Sequence, residues 1–141
     1  MNSEIARQIA ASALKPPFET KPPSENFFKG LTGKVWCCQF CLDEKFIAFQ
    51  GHFLGNPVLP ALAQVMVARE TASAVSAKKM HIESIRQAKF LSLVKPGVTL
   101  SSYALPPAGE SGEWRFHLTS SFEQSEEVDV SFLRVTFTDH F

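Results

Sequence analysis

The chain has no surplus of either charge. Lys plus Arg number 14, Asp plus Glu number 14, and the formal net charge of the 141 residues is zero. General nucleic-acid binders carry a basic surplus, so that class is set aside. Long hydrophobic runs are also lacking. No stretch of ~18 apolar residues occurs, so no transmembrane helix and no membrane partner are expected. The N-terminus carries Glu4 and Arg7 and has no long apolar core. It does not read as a secretory signal, and cytoplasmic residence is the default. No internal repeat is visible. At this length one domain with a real core is expected.

Cysteine is scarce and crowded. Cys37, Cys38 and Cys41 are the only three, all in one segment. An odd, clustered set does not form a disulfide framework. The C-C-x-x-C spacing raises a metal site, but zinc wants four ligands and no second Cys/His pair lies at useful spacing. The segment also reads as a strand, with Cys37 and Cys38 on opposite faces. Buried, reduced thiols acting as small hydrophobes are the preferred reading, with no metal and no dissociable cofactor.

What is present is patterned. Residues 3–14 predict a short amphipathic helix with Ser3 as its cap and Ile5 and Ile9 on one face. Pro16–Pro17 and Pro22–Pro23 then break the pattern, and 15–25 reads as an extended linker along the surface. This divides the chain into a helix-and-linker segment, 1–26, and a main domain, 27–141. The apolar run 33–42 reads as a buried strand. Residues 43–58 form a loop holding His52. Pro60 suits a first helical position, and 60–76 predicts a helix roughly 25 Å long. Leu62, Val65, Met66, Ala68, Ala72 and Val75 spread around much of its circumference, which predicts burial. Four strand candidates follow, at about 79–93, 98–105, 113–123 and 127–138. In the last, Val128, Val130, Phe132 and Arg134 alternate with Ser131, Leu133 and Val135. The expected fold is α+β, one antiparallel sheet wrapped on one long helix.

Two stretches carry a resemblance. "GHFLGNPVLPA" (51–61) resembles the G-H-F-P-G-N-P-V-M-P-G signature of the β-hydroxyacyl-acyl-carrier-protein dehydratases of the hotdog fold. "AKFLSLVKPGVTL" (88–100) resembles the K-F-x-x-x-V-x-P-G-D-x-L strand-turn-strand of the same family. "LPALAQVMVARE" is similar to the branch associated with aryl polyene pathways. The likeness covers about 30–141. It implies a curved antiparallel sheet around helix 60–76, and subunits paired edge to edge as a homodimer, a hexamer, or a heterodimer with a related dehydratase. It further implies an acyl thioester substrate on acyl carrier protein, held in a tunnel at the subunit interface.

Dehydration of a 3-hydroxyacyl thioester needs a base for the α-proton, an acid for the departing hydroxyl, and a dipole for the thioester oxygen. By resemblance His52 is the base, and histidine accepts a proton near neutral pH without a large shift. The Val58 carbonyl would orient its ring. The Ala61 N–H at the helix start would be the oxyanion donor, with Gly55 shaping the loop. Ala61 stands where the family has Gly, so a methyl group enters near the thioester. Phe53, Leu54, Pro57, Leu59 and Met66 would line the tunnel. Met66 occupies the position of the family's acid, and a thioether cannot donate a proton. Glu70, one turn further on, is the candidate substitute; the plainer reading is a solvated or ion-paired helix carboxylate, with Arg69 or Lys78. His81 and His117 read as ordinary strand residues. Two alternatives stay open: a binding subunit that has lost its acid, and a hotdog thioesterase.

Overall fold

A computed structural model of the chain describes residues 3–24, 26–50, 55, 57–109, 112–123 and 125–139. His52, Phe53 and Leu54 lie outside the described residues. The elements run, in chain order, α1 (Ser3–Ala11), β1 (Phe18–Thr20), β2 (Val35–Cys41), α2 (Ala61–Ser76), β3 (His81–Phe90), β4 (Thr99–Leu105), β5 (Glu113–Ser121) and β6 (Val128–Thr138). The six strands form one antiparallel sheet in the order β1-β2-β4-β5-β6-β3. This is the α+β hotdog architecture, with α2 as its central helix.

The inner face of the sheet packs on α2. Cys38 and Phe40 of β2, Leu100 and Ala104 of β4, Trp114, Phe116 and Leu118 of β5, and Leu133, Val135 and Phe137 of β6 share one buried cluster with Met66, Val67, Ala68 and Ala72 of α2. Trp114 and Phe116 stack at 5.9 Å between ring centroids, 7° from parallel. Alternation in β6 breaks at one point. Leu118 pairs with Ser131 and Thr119 with Asp129, leaving Val130 as the extra residue of a bulge. Val130 therefore turns into the core instead of sharing a face with Phe132.

Helix α2 ends on a residue in the left-handed region, Ala77, with φ 56°. Its N–H bonds to the Ala74 carbonyl, and the next, Lys78 N–H, reaches back to the Ser73 carbonyl. These satisfy the last carbonyls of the helix. Arg69, buried, donates from Nε to the Met80 carbonyl at 2.9 Å and ties the helix to the start of β3.

Residues 3–20 join this structure. Ile9 is completely buried in the main core, with Ile5 and Ala6 packed beside it. Helix α1 stops at Ala11 because the chain then turns to run beside β2. The Leu14 N–H bonds to the Gln39 carbonyl at 2.9 Å, and the Cys41 N–H to the Ser12 carbonyl at 3.2 Å. The stretch expected as a surface linker contains β1, which pairs with β2 through Phe18↔Cys37. Two flanking prolines do not prevent this, since a three-residue edge strand uses only one side of its backbone.

The outer face carries a second, smaller cluster. Phe28, Val35, Cys37, Tyr103 and Leu105 pack there, with Phe18 and Phe27 over them. All three cysteines are free thiols, and Cys37 and Cys38 are buried on opposite faces. Burial first of all pushes the Cys37 thiol up to about 12 and the Cys38 thiol up to about 11. No described helix is long and apolar enough to cross a membrane.

If α1 belongs to the core, truncating its anchor weakens the whole fold. Ile9→Ala should lose about 2–5 kcal/mol of stability by urea unfolding, in one cooperative transition. A loss confined to the N-terminal segment would mean that α1 unfolds on its own.

Candidate active site

The two matched stretches meet. The Leu59 N–H bonds to the Val94 carbonyl at 2.7 Å, and both side chains are buried in the main core. The Gly97 N–H bonds to the Leu42 carbonyl at 2.9 Å, which fixes the Pro96–Gly97 turn against the end of β2. Gly97 sits at φ 87° and Gly55 at φ 78°, in the region that glycine enters freely. The His52 loop therefore leads into a segment, 57–60, that is held from inside. Val58 and Leu59 are buried, Pro57 and Pro60 partly so, and Gly55 is exposed.

Pro60 is the cap residue, not the first helical residue, with φ −66° and ψ 155°. Ala61 is first, and the Gln64 N–H makes the first intrahelical bond back to the Pro60 carbonyl at 3.2 Å. Helix geometry gives the Ala61 N–H no partner within the helix. It points along the positive end of the helix dipole. Ala61 and its neighbour Leu62 are both exposed, so this end of the helix opens at the surface beside an apolar collar.

Met66 lies elsewhere. It has no exposed surface and belongs to the core cluster that includes Ile9 and Phe46. Within one chain it is a packed core side chain, the use for which methionine's flexibility suits it. Glu70 is half-buried and opens onto a different space. That space is a cleft of about 370 Å³ lined by Ala10, Ala13, Lys15, Pro16, Pro17, Cys38, Phe40, Glu70 and Ala74. Burial pushes the Glu70 carboxyl above its ordinary range, with the charges of Arg69 and Lys79 pulling it back. Among the described residues no hydrogen bond or ion pair ends on it. Lys78 pairs with Asp139 at 3.0 Å, and the Arg69 Nε donates to the Met80 carbonyl at 2.9 Å.

The helix itself separates the candidate donor from the candidate oxyanion hole. Glu70 is nine positions after Ala61, roughly 13 Å along the axis and about half a turn apart in direction. Glu70 therefore does not reach the Ala61 N–H of its own helix.

One polar constellation was not legible beforehand. On the outer face the His117 Nε2 lies 2.8 Å from Asp129 Oδ1, and His117 has no exposed surface. The Tyr103 hydroxyl and the Thr119 hydroxyl both donate to Glu127 Oε1, at 2.6 and 2.9 Å. Burial, then the Glu127 carboxylate, pushes the Tyr103 hydroxyl upward. His117 is a strand residue, as expected, with its buried ring tied to Asp129. The only sequence cue was its place opposite Tyr103, which becomes visible once the register of β4 and β5 is known. This group lies on the face away from α2, and it plays no part in the site at the helix start.

The fold is that of the hotdog proteins, and the two matched stretches meet at the start of its central helix. The model of the ApeI-like family, ApeI dehydratase, matches residues 29–132, well over half of the chain. The chain belongs to that family. Among curated proteins, it is 38% identical to a 3-hydroxyacyl-[acyl-carrier-protein] dehydratase FabZ of Levilactobacillus brevis, over 44% of this chain and 45% of that protein. It is 31% identical to the FabZ of Rickettsia rickettsii, over 60% of this chain and 63% of that one. The chain thus spans less than two thirds of the length of these relatives. Among solved structures, an uncharacterized protein from Erwinia carotovora subsp. atroseptica superposes with a TM-score of 0.68 at 24% identity, over 90% of this chain and 94% of that one. The dehydratase heterocomplex ApeI:P from Xenorhabdus doucetiae gives 0.58 at 22% identity, over 87% and 98%. At these identities the two structures bear on the fold.

Two substitutions test this placement. Met66→Glu puts a carboxyl into a sealed apolar site and should cost roughly 3–5 kcal/mol. A loss under ~1 kcal/mol in urea unfolding would show that this face of α2 opens. Glu70→Gln should act in the opposite sense. Burial disfavours the ionised carboxyl, so the folded chain holds its proton to higher pH than the unfolded chain does. The resulting cost is absent below the ordinary value of 4.5 and builds as pH rises through the raised one. Thermal melts should therefore find Glu70→Gln more stable than the parent at neutral pH, with the difference vanishing in acid.

Proposed function

We propose that the chain acts on 3-hydroxyacyl thioesters as a dehydratase subunit of fatty-acid or polyene-type assembly, with the substrate carried on acyl carrier protein. His52 takes the proton from C2. The Val58 carbonyl orients its ring, and the Ala61 N–H receives the thioester oxygen as charge develops there. Glu70 of an opposing subunit, directly or through a water it holds, gives its proton to the C3 hydroxyl. The C2–H and C3–O bonds break, the double bond forms, and water leaves. The proton on His52 returns to Glu70 before the next cycle.

The observation that carries this reading is the helix start. A loop pinned at Leu59 delivers a surface-facing Ala61 N–H at the positive end of a buried helix. Support for Glu70 comes from its half-buried carboxyl, which holds its proton above the ordinary range. Support for a second subunit comes from β3. It is an edge strand, with Ile85 and Phe90 48% and 43% exposed, and an uncovered strand edge favours pairing. The pairing is a homodimer, a hexamer built from it, or a heterodimer with a related dehydratase.

A second reading has one observation in its favour. Met66 is sealed in the core at the position of the family's acid, which suits an acyl-binding subunit that works beside an active partner. The test is a panel of 3-hydroxyacyl thioesters of graded chain length, with products resolved by mass. Enoyl thioester marks dehydration, and free acid marks a thioesterase. His52→Ala and Glu70→Gln should each lower the dehydration rate by about 10²-fold or more. No turnover by the chain alone, with activity appearing only beside a related dehydratase, would leave the accessory reading standing.

A further inference from the structure

The cleft beside Glu70 is built largely by residues outside the family match. Ala10, Ala13, Lys15, Pro16 and Pro17 precede residue 29, where that match begins. Their position is fixed. The Leu14 N–H bonds to the Gln39 carbonyl, the Cys41 N–H bonds to the Ser12 carbonyl, and Ala13 bridges to Phe40. Ile9 anchors the helix below them in the core. Pro16 and Pro17 hold their own φ and make a stiff wall. Lys15 stays at the rim, its Nζ 4.2 Å from the centre of the Phe18 ring.

Resting on the acyl-thioester reading above, we infer that this cleft takes the apolar tail of the acyl chain, and that residues 10–17 set its length. The space exists because its walls are small. Three of its lining residues, Ala10, Ala13 and Ala74, are alanines, while Phe40 and the two prolines give it an apolar surface. Its volume, about 370 Å³, falls within the range of small-ligand pockets. Among the described residues lining it, Glu70 is the one carboxyl. A substrate whose C3 hydroxyl meets that carboxyl leads its remaining carbons along the cleft, between the end of α1 and β2. An unbranched chain fits such a groove, and each buried methylene adds about 0.8 kcal/mol. The tail in turn excludes water from the carboxyl and favours its protonated form.

The test reads binding, so it does not depend on turnover. Decanoyl- and butyryl-pantetheine amides, which lack the 3-hydroxyl and a cleavable thioester, are titrated calorimetrically into the full chain. The wild type should bind the decanoyl compound at least tenfold more tightly. The double substitution Ala13→Phe/Ala74→Phe, checked for native circular dichroism, should abolish that preference and leave butyryl binding within about twofold. Ala10→Leu, a milder filling, should reduce the preference in part. Equal affinity of the two compounds for the wild type would overturn the cleft as the tail site. So would a decanoyl preference that survives both fillings. A protein that prefers the long chain but turns over no thioester would keep the cleft and reject the enzymatic reading. A protein that is active with no preference would do the reverse.

Discussion

Helix α2 has to be buried on two sides, and most of the structure follows from that. Its apolar residues are spread too widely for a sheet to cover alone. The sheet and α1 both pack on it, and Ile9, Met66, Ala68 and Ala72 share one core. A helix covered in this way has few places for polar groups, and two of the buried ones bond to backbone carbonyls, while the buried Gln64 Oε1 has no hydrogen-bond partner among the described residues. The Thr71 hydroxyl bonds to the Val67 carbonyl, and Arg69 reaches the Met80 carbonyl. Glu70 stands at the boundary, where the cover of α1 ends and the cleft begins. The position of that one carboxyl is a consequence of where α1 stops.

The same constraint explains why the helix start is open. Val58 and Leu59 are drawn inside, and the hydrogen bond from Leu59 to Val94 draws the second matched stretch in with them. The chain then leaves the core through Pro60, which has no N–H to lose. Ala61 and Leu62 emerge at the surface with the helix N–H groups directed outward. A buried helix with one exposed end concentrates its dipole where a ligand oxygen can reach it.

Much of this was legible in the sequence, for identifiable reasons. The four later strands and α2 fell close to their expected bounds, because Pro96–Gly97, Pro106–Pro107 and the polar turn near 124 interrupt the pattern sharply. The short β1 was not legible. Three residues between proline pairs carry no period, and their pairing with β2 depends on where α1 delivers them. The facing of Val130 was hidden by a bulge, since one extra residue reverses the alternation beyond it. The junction at 57–61 was read correctly in kind, although Pro60 caps the helix and does not begin it. The cleft was not legible at all. Its lining comes from three distant segments, and its volume comes from alanines, which look alike at every exposed position.

The replacement of a family carboxylate by Met66 looks, in the sequence, like the loss of one proton donor. The structure gives it a second meaning. With α1 packed over this face, a carboxylate at 66 would sit in the same apolar cluster as Ile9, without solvent and without a described partner. Methionine and α1 are mutually consistent: the one removes the charge that the other would bury. Glu70, one turn on, stands at the edge of that cover, where burial is partial and holds its proton above the ordinary range. The shift along the helix is about 6 Å. The N-terminal helix and Met66 are thus physically consistent, since both add apolar side chains to the same core.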